Sequence, residues 1–153
     1  MRLFISQLND LIGRLAVARV CTAESCPVMN AGSLQYLCAS HSEPQDCSAM
    51  DYMVHTVDGA QALLSNTKIF PSRLVVKPAA AGHFPNLARR LYRCLAHAWR
   101  HHTDIYTKFE DDTRCTARIS GVAKKYKLLA DDQMIIAEED IKTGSGQNAD
   151  VST

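Results

Sequence analysis

The chain has 153 residues, 46% of them hydrophobic, and 17 Lys and Arg against 16 Asp and Glu give a net charge of +1. That length suits one domain with a buried core, and the near-neutral balance excludes any partner held by overall charge alone, nucleic acid and anionic membrane included. No stretch approaches the roughly twenty apolar residues of a transmembrane helix, and Gln7, Asn9 and Asp10 interrupt the start before a signal-peptide core can form.

Phe4, Leu8, Leu11, Ile12 and Leu15 recur at three- and four-residue steps, which predicts an amphipathic helix over residues 2–19. Residues 21–47 read as irregular and cysteine-rich, with Pro27, Gly32 and Pro44 as breakers and no strand alternation. Ser48-Ala49-Met50-Asp51 resembles a capping box and opens a second helix that runs to about Ser65. Gly59 inside it costs about 1 kcal/mol against alanine, so another backbone is expected to pack closely there.

A loop over residues 66–83 is marked by Phe70-Pro71-Ser72 and Pro78. A long helix is expected from Pro85 or Asn86, both good starting residues, to about Glu110. Cys115, Ile119, Val122 and Tyr126 mark one face of a further helix. Thr143 to Thr153 is rich in Gly, Ser and Asn and reads as a disordered tail. The expectation is one all-α domain over 1–142 and a tail over 143–153.

An intracellular setting leaves the six cysteines reduced, as metal ligands or small buried hydrophobes. Cys21 and Cys26 are separated by four residues, and some seventy residues later so are His97 and His102. Two thiolates and two imidazoles at such spacings suit a tetrahedral zinc site. The long gap excludes a compact zinc finger and would tie the first third of the chain to the central helix. Geometry leaves the second imidazole open. On an ideal helix positions four apart differ by about 40° and positions five apart by about 140°, so His101 pairs more easily with His97 than His102 does. Four protein ligands would make the site structural, since a catalytic zinc keeps one position for water.

Cys38, His41 and Cys47 form a weaker cluster with His55 as a candidate fourth member, and buried packing is the plainer reading. Cys94 and Cys115 read as core. Arg89, Arg90 and Arg93 crowd the start of the long helix, where cations oppose the helix dipole and repel one another. The arrangement makes sense if a phosphate docks there; the alternative is a solvated basic face neutralised by Glu110 or other acids. Tyr92, Trp99, Arg100 and His101 raise single-stranded nucleic acid as a competing ligand. Tyr92 and Trp99 lie seven apart, so they share a face and are expected in the core. A metal-dependent hydrolase would need an open zinc position and a nearby base, with Glu110 the candidate.

Cys21-Thr22-Ala23-Glu24-Ser25-Cys26-Pro27-Val28-Met29, Phe70-Pro71-Ser72-Arg73 and Arg90-Leu91-Tyr92-Arg93-Cys94-Leu95-Ala96-His97 followed by His102 resemble the Mob/phocein family. Leu37-Cys38-Ala39-Ser40-His41, Asp51-Tyr52, His55-Thr56 and Asp58-Gly59-Ala60 are most similar to its phocein subgroup. The resemblance covers about Leu8 to Ile141. It implies a Mob-type helical bundle with a four-helix core stapled by zinc, without enzymatic activity, acting as an adaptor or coactivator of protein kinases. It places the ligands on Cys21, Cys26, His97 and His102, against the geometric preference for His101, and phosphothreonine-binding residues on Arg89, Arg90 and Arg93. Phocein-like members belong to the striatin-interacting phosphatase and kinase complex, in the cytoplasm and at Golgi or vesicle membranes. The implied partners are Ste20-like kinases, a striatin-like scaffold and its phosphatase.

The family normally carries a further N-terminal helix, and this chain begins inside what would be its second. Kinase-activating members present acids there to a basic helix of nuclear Dbf2-related kinases. Here Arg2, Arg14 and Arg19 face only Asp10, which favours the phocein reading over the kinase-activator alternative. Pro85 is a second departure, expected to start the long helix late.

Overall fold

A computed structural model describes residues 1–142, so the expected tail over 143–153 lies outside the described residues. Helix α1 (Arg2–Ala18) buries Phe4, Ile5, Leu8, Leu11 and Leu15, the face its periodicity announces. Arg19 ends it in the left-handed conformation (φ 54°), where its N–H bonds the Ala16 carbonyl. Helix α2 (Ala49–Ser65) begins as expected, the Ser48 hydroxyl accepting from the Asp51 N–H at 3.1 Å. Gly59 does not mark a close backbone approach: it is exposed, and a Cβ there would meet nothing within 4 Å.

The segment expected to be irregular contains a small antiparallel hairpin, β1 (Met29–Ala31) with β2 (Leu34–Tyr36). Three-residue strands are too short to announce themselves by alternation. Gly32 supplies the positive φ (66°) of the two-residue turn, and a Cβ there would press on Ile135 at 3.0 Å. The loop 66–83 carries one short helix, α3 (Pro78–Ala81), and is pinned by buried Phe70, whose ring lies 5.8 Å from that of Phe84.

The expected long helix is two. Helix α4 (Phe84–His101) stops at His102, which leaves helical geometry (φ −139°, ψ 49°), and α5 (Thr103–Thr113) follows at once. Pro85 sits harmlessly in the first turn of α4, where its missing N–H is not needed. Across the break the Thr103 hydroxyl donates to the Trp99 carbonyl at 2.9 Å, while the His102 carbonyl accepts from Ile105 and Tyr106. With these partners the break leaves few orphaned backbone groups, and no Gly or Pro is needed to make it.

Helix α6 (Cys115–Tyr126) buries Cys115, Thr116, Ile119 and Ala123, whereas Tyr126 is exposed rather than on the core face. A 3-10 turn (Asp131–Gln133) and α7 (Glu138–Lys142) complete the described chain. Helix α4 is the centre: it packs on α1, α2, α5, α6 and β1, and it buries Leu87, Ala88, Leu91, Tyr92, Cys94, Leu95, Ala96, His97 and Ala98. The fold is mostly helical as expected, with the hairpin laid on the central helix. None of the six cysteines is paired with another, and among the described residues no helix is long and apolar enough to cross a membrane.

Glu110 takes a role different from the one expected. It is buried, and its two carboxylate oxygens accept the Thr116 and Ala117 backbone N–H groups at 2.7 and 3.0 Å, capping the start of α6 from the last turn of α5. Replacing it leaves two donors of the first turn unsatisfied. Glu110→Ala is expected to lower unfolding stability by about 3 kcal/mol, read by urea unfolding; a loss under about 0.5 kcal/mol, the level of an ordinary surface change, would show that the cap is dispensable.

Candidate metal centres and basic groove

Cys21 and Cys26 lie just past α1, in a loop closed by its own side chains. The Ser25 hydroxyl donates to the Val20 carbonyl at 2.8 Å and accepts from the Thr22 N–H at 2.9 Å; the Ser25 N–H donates to the Thr22 hydroxyl at 3.1 Å. The Cys26 N–H reaches back to the Thr22 carbonyl, and its carbonyl accepts from Ala49 at the start of α2. These bonds hold both thiols toward the C-terminal end of α4.

There Cys21 Sγ lies 3.6 Å from His97 Nε2, and Cys26 Sγ lies 3.5 Å from His102 Nε2. All four ligand atoms fall within 4.8 Å of one another. Zinc bonds of about 2.3 Å to sulfur and 2.05 Å to nitrogen, at a tetrahedral angle, place S and N about 3.6 Å apart. The donors therefore fit a tetrahedral dication. The preference for His101 rested on a helix running on to Glu110; because α4 ends at His102, that residue's non-helical backbone turns its ring onto the site. His101 stays exposed and outside the cluster, although its ring lies 4.7 Å from that of His97.

The electrostatics suit an incoming cation. Burial pushes the His97 imidazole down to about 4, so the ring is neutral near pH 7. Its Nδ1 faces the Asn30 carbonyl at 2.7 Å, so Nδ1 carries the proton and Nε2 offers its lone pair to the site. Asn30, in β1, thus orients a ligand carried by α4, which gives the hairpin a part in the site. Burial, with the neighbouring Cys26, raises the Cys21 thiol to about 12. A dication would reverse that preference by stabilising thiolate.

A second set assembles where packing was the plainer expectation. Cys38 and Gln45 exchange backbone hydrogen bonds of 2.7 and 3.2 Å, closing the loop that carries His41. His55, on α2, completes the group: its Nδ1 lies 3.5 Å from Cys38 Sγ and 3.8 Å from Cys47 Sγ, and His41 Nε2 lies 3.0 Å from Cys47 Sγ. These four ligand atoms also lie within 4.8 Å of one another. Both clusters can hold a metal ion through two sulfurs and two nitrogens. Cys94 and Cys115 are fully buried and belong to neither.

The arginines separate. Arg89 and Arg93 line a cavity of about 630 Å³ between α4, the hairpin and the segment 129–135, whereas Arg90 is exposed and does not. At 100° per residue, Arg90 stands about 100° round the helix from Arg89. The Arg93 guanidinium stacks 3.9 Å from the centre of the Tyr36 ring and donates to the Tyr52 hydroxyl at 3.4 Å. Arg89 donates to Asn86 at 3.1 Å, and its buried Nε has no hydrogen-bond partner. Neither makes an ion pair among the described residues, so Glu110 does not neutralise them. Tyr92 is in the core as expected, its hydroxyl accepting from Ile136 N–H, but Trp99 is only partly buried and lines the cavity, its indole donating to Asp140 at 2.8 Å.

If both clusters load, the purified chain should carry two equivalents of metal. Elemental analysis is expected to find one equivalent lost in Cys26→Ser and the other in Cys47→Ser, with His101→Ala unchanged. Metal retained in Cys26→Ser, or lost in His101→Ala, would overturn the ligand assignment. Removal of the first ion by a chelator should lower the melting temperature, since site and fold are coupled.

Residues 1–137 match the Mob1/phocein family. The chain is 37% identical over 137 residues to the MOB-like protein phocein of Caenorhabditis elegans and 36% identical over 137 residues to MOB kinase activator-like 4 of Drosophila melanogaster. Each match covers 89% of this chain and 60% of the relative. It is 33% identical over 119 residues to the maintenance of ploidy protein mob1 of Schizosaccharomyces pombe, covering 70% of this chain and 53% of that protein. The chain thus spans about three fifths of the length of the relatives it matches. The chain belongs to the Mob1/phocein family.

Proposed function

We propose that this protein is a non-catalytic, zinc-stapled adaptor of the phocein kind, which docks phosphorylated segments of protein kinases. The observation that carries the reading is the arginine-lined groove on α4, whose Arg93 lies about one turn before His97 of the Cys21, Cys26, His97 and His102 cluster. Zinc is the ion the donors suit: two thiolates and two imidazoles in tetrahedral array, with no position left for water. The ion holds the helix; the arginines, in no ion pair among the described residues, take the phosphate.

Kinase partners are supported by the family and by the relative named as a kinase activator-like protein. The Ste20-like kinases, striatin-like scaffold and associated phosphatase, in the cytoplasm and at Golgi or vesicle membranes through those partners, complete the proposal. Activation of nuclear Dbf2-related kinases is the lesser reading. Asp10, the acid that α1 offers, is paired with Arg14 at 3.0 Å, and Arg14 also holds Asp112 at 2.6 Å. A hydrolase loses its candidate base, because both oxygens of Glu110 are occupied by backbone donors.

The test is titration of a phosphothreonine peptide into the chain and into an Arg89→Ala, Arg93→Ala double variant. Binding to the parent, weakened at least about tenfold in the variant as two charge-assisted contacts are lost, supports the reading. Equal binding, or a parent indifferent to the phosphate, refutes the groove as the phosphate site. Recovery of striatin-like scaffolds on affinity purification of the tagged chain would fix the branch, and their absence would argue against it.

A further inference from the structure

Beyond Arg89 and Arg93, the same cavity is lined by Arg100 and Trp99, two turns further along α4. At 100° per residue Arg89, Arg93 and Arg100 fall within about 40° of one another around the helix axis, so the three guanidinium groups form one stripe. Arg100 is exposed and makes no ion pair among the described residues. Asp132 is the only acid among the residues lining the cavity, and it is likewise unpaired with these arginines. Cations at the end of a helix are ordinary, because they suit its negative pole. A third one aligned with the phosphate pair, and facing the same cavity, points to a ligand.

The surrounding charge supports an acidic one. From Gly59 to Thr103 the chain holds seven cations, Lys68, Arg73, Lys77, Arg89, Arg90, Arg93 and Arg100, and no Asp or Glu. Within a chain of net charge +1 this stretch alone carries seven positive charges, against Asp132 in the cavity and Asp140 bonded to the Trp99 indole. Spacing then specifies the ligand. Arg93 and Arg100 are seven residues apart, about 10 Å along the axis at 1.5 Å per residue, and the midpoint of Arg89 and Arg93 lies about 13 Å from Arg100. An extended peptide covers about 3.3 Å per residue, so those distances correspond to three or four residues.

We propose that the groove reads a two-point acidic motif: a phosphorylated residue held by Arg89 and Arg93, and a Glu or Asp three or four positions away held by Arg100. Ala96, which also lines the cavity, lies along the helix between Arg93 and Arg100. The inference rests on the phosphate reading above and adds a specificity determinant that Arg89, Arg90 and Arg93 do not contain.

The probe is a fluorescein-labelled nine-residue peptide with a central phosphothreonine. It carries one glutamate three or four residues to either side, or glutamine at the same place. Fluorescence polarisation with the full chain is expected to show the glutamate peptide binding about threefold tighter than its glutamine twin, the size of one solvent-accessible ion pair. Arg100→Gln should erase that difference and leave the affinity for the glutamine peptide unchanged. Because Arg100 is exposed, the variant is expected to melt with the parent, which a thermal scan verifies. If glutamate gives no advantage at any of the four positions while phosphate dependence persists, the second point is refuted and the phosphate site stands. If the unphosphorylated twin binds as well as the phosphopeptide, the phosphate reading fails and this inference falls with it.

Discussion

The convergence of Cys21, Cys26, His97 and His102 constrains everything around it. It joins the loop after α1 to the end of α4, segments some seventy residues apart, at one end of the bundle. The central helix thus meets that loop at its C-terminus and is buried along its length by apolar packing. The break at His102 brings its ring to the same cluster. An unbroken helix would swing residues 97 and 102 about 140° apart and leave the fourth donor facing away. The local geometry that looks like a defect of the helix is what closes the site.

A central helix held in this way can present a face without relying on that face for stability. The outward stripe of α4 carries cations that would weaken an isolated helix near its start, and the burial of Leu87, Leu91 and Leu95 opposite them compensates. The hairpin serves both ends: the Asn30 carbonyl fixes the His97 tautomer, while Tyr36 stacks under the Arg93 guanidinium. Metal loading and the shape of the groove therefore share one small element. Movement of the hairpin would be felt at both.

The second cluster and the Glu110 cap apply the same principle to the rest of the chain. Four possible ligand atoms from a short loop and α2 come together over a segment that carries little regular structure of its own. A buried carboxylate that would otherwise be costly is satisfied by two backbone donors at the start of α6. Both turn backbone segments without regular structure into fixed parts of the scaffold.

What the chain alone determined is what depends on spacing: the amphipathic face of α1, the Ser48 cap at the start of α2, the core placement of Cys94 and Cys115, and the pairing of Cys21 and Cys26 with His97 as metal-binding residue types. Each is written in residues that are neighbours in sequence or in residue types with narrow chemistry. Tertiary structure decided the rest, because it turns on contacts between distant segments. The end of α4 carries no Gly or Pro, since the break is stabilised by the cysteine loop and by Thr103, not by local propensity. The hairpin is too short for a period, and it takes its place from α4 and Ile135. Close approach at Gly59 was wrongly expected because a helical glycine has several causes, and only the neighbouring elements show which applies. His55 joined Cys38, His41 and Cys47 because α2 lies against that loop. Arg90 parted from Arg89 and Arg93 because a helix presents only one stripe to a cavity, and which stripe depends on the elements packed around it.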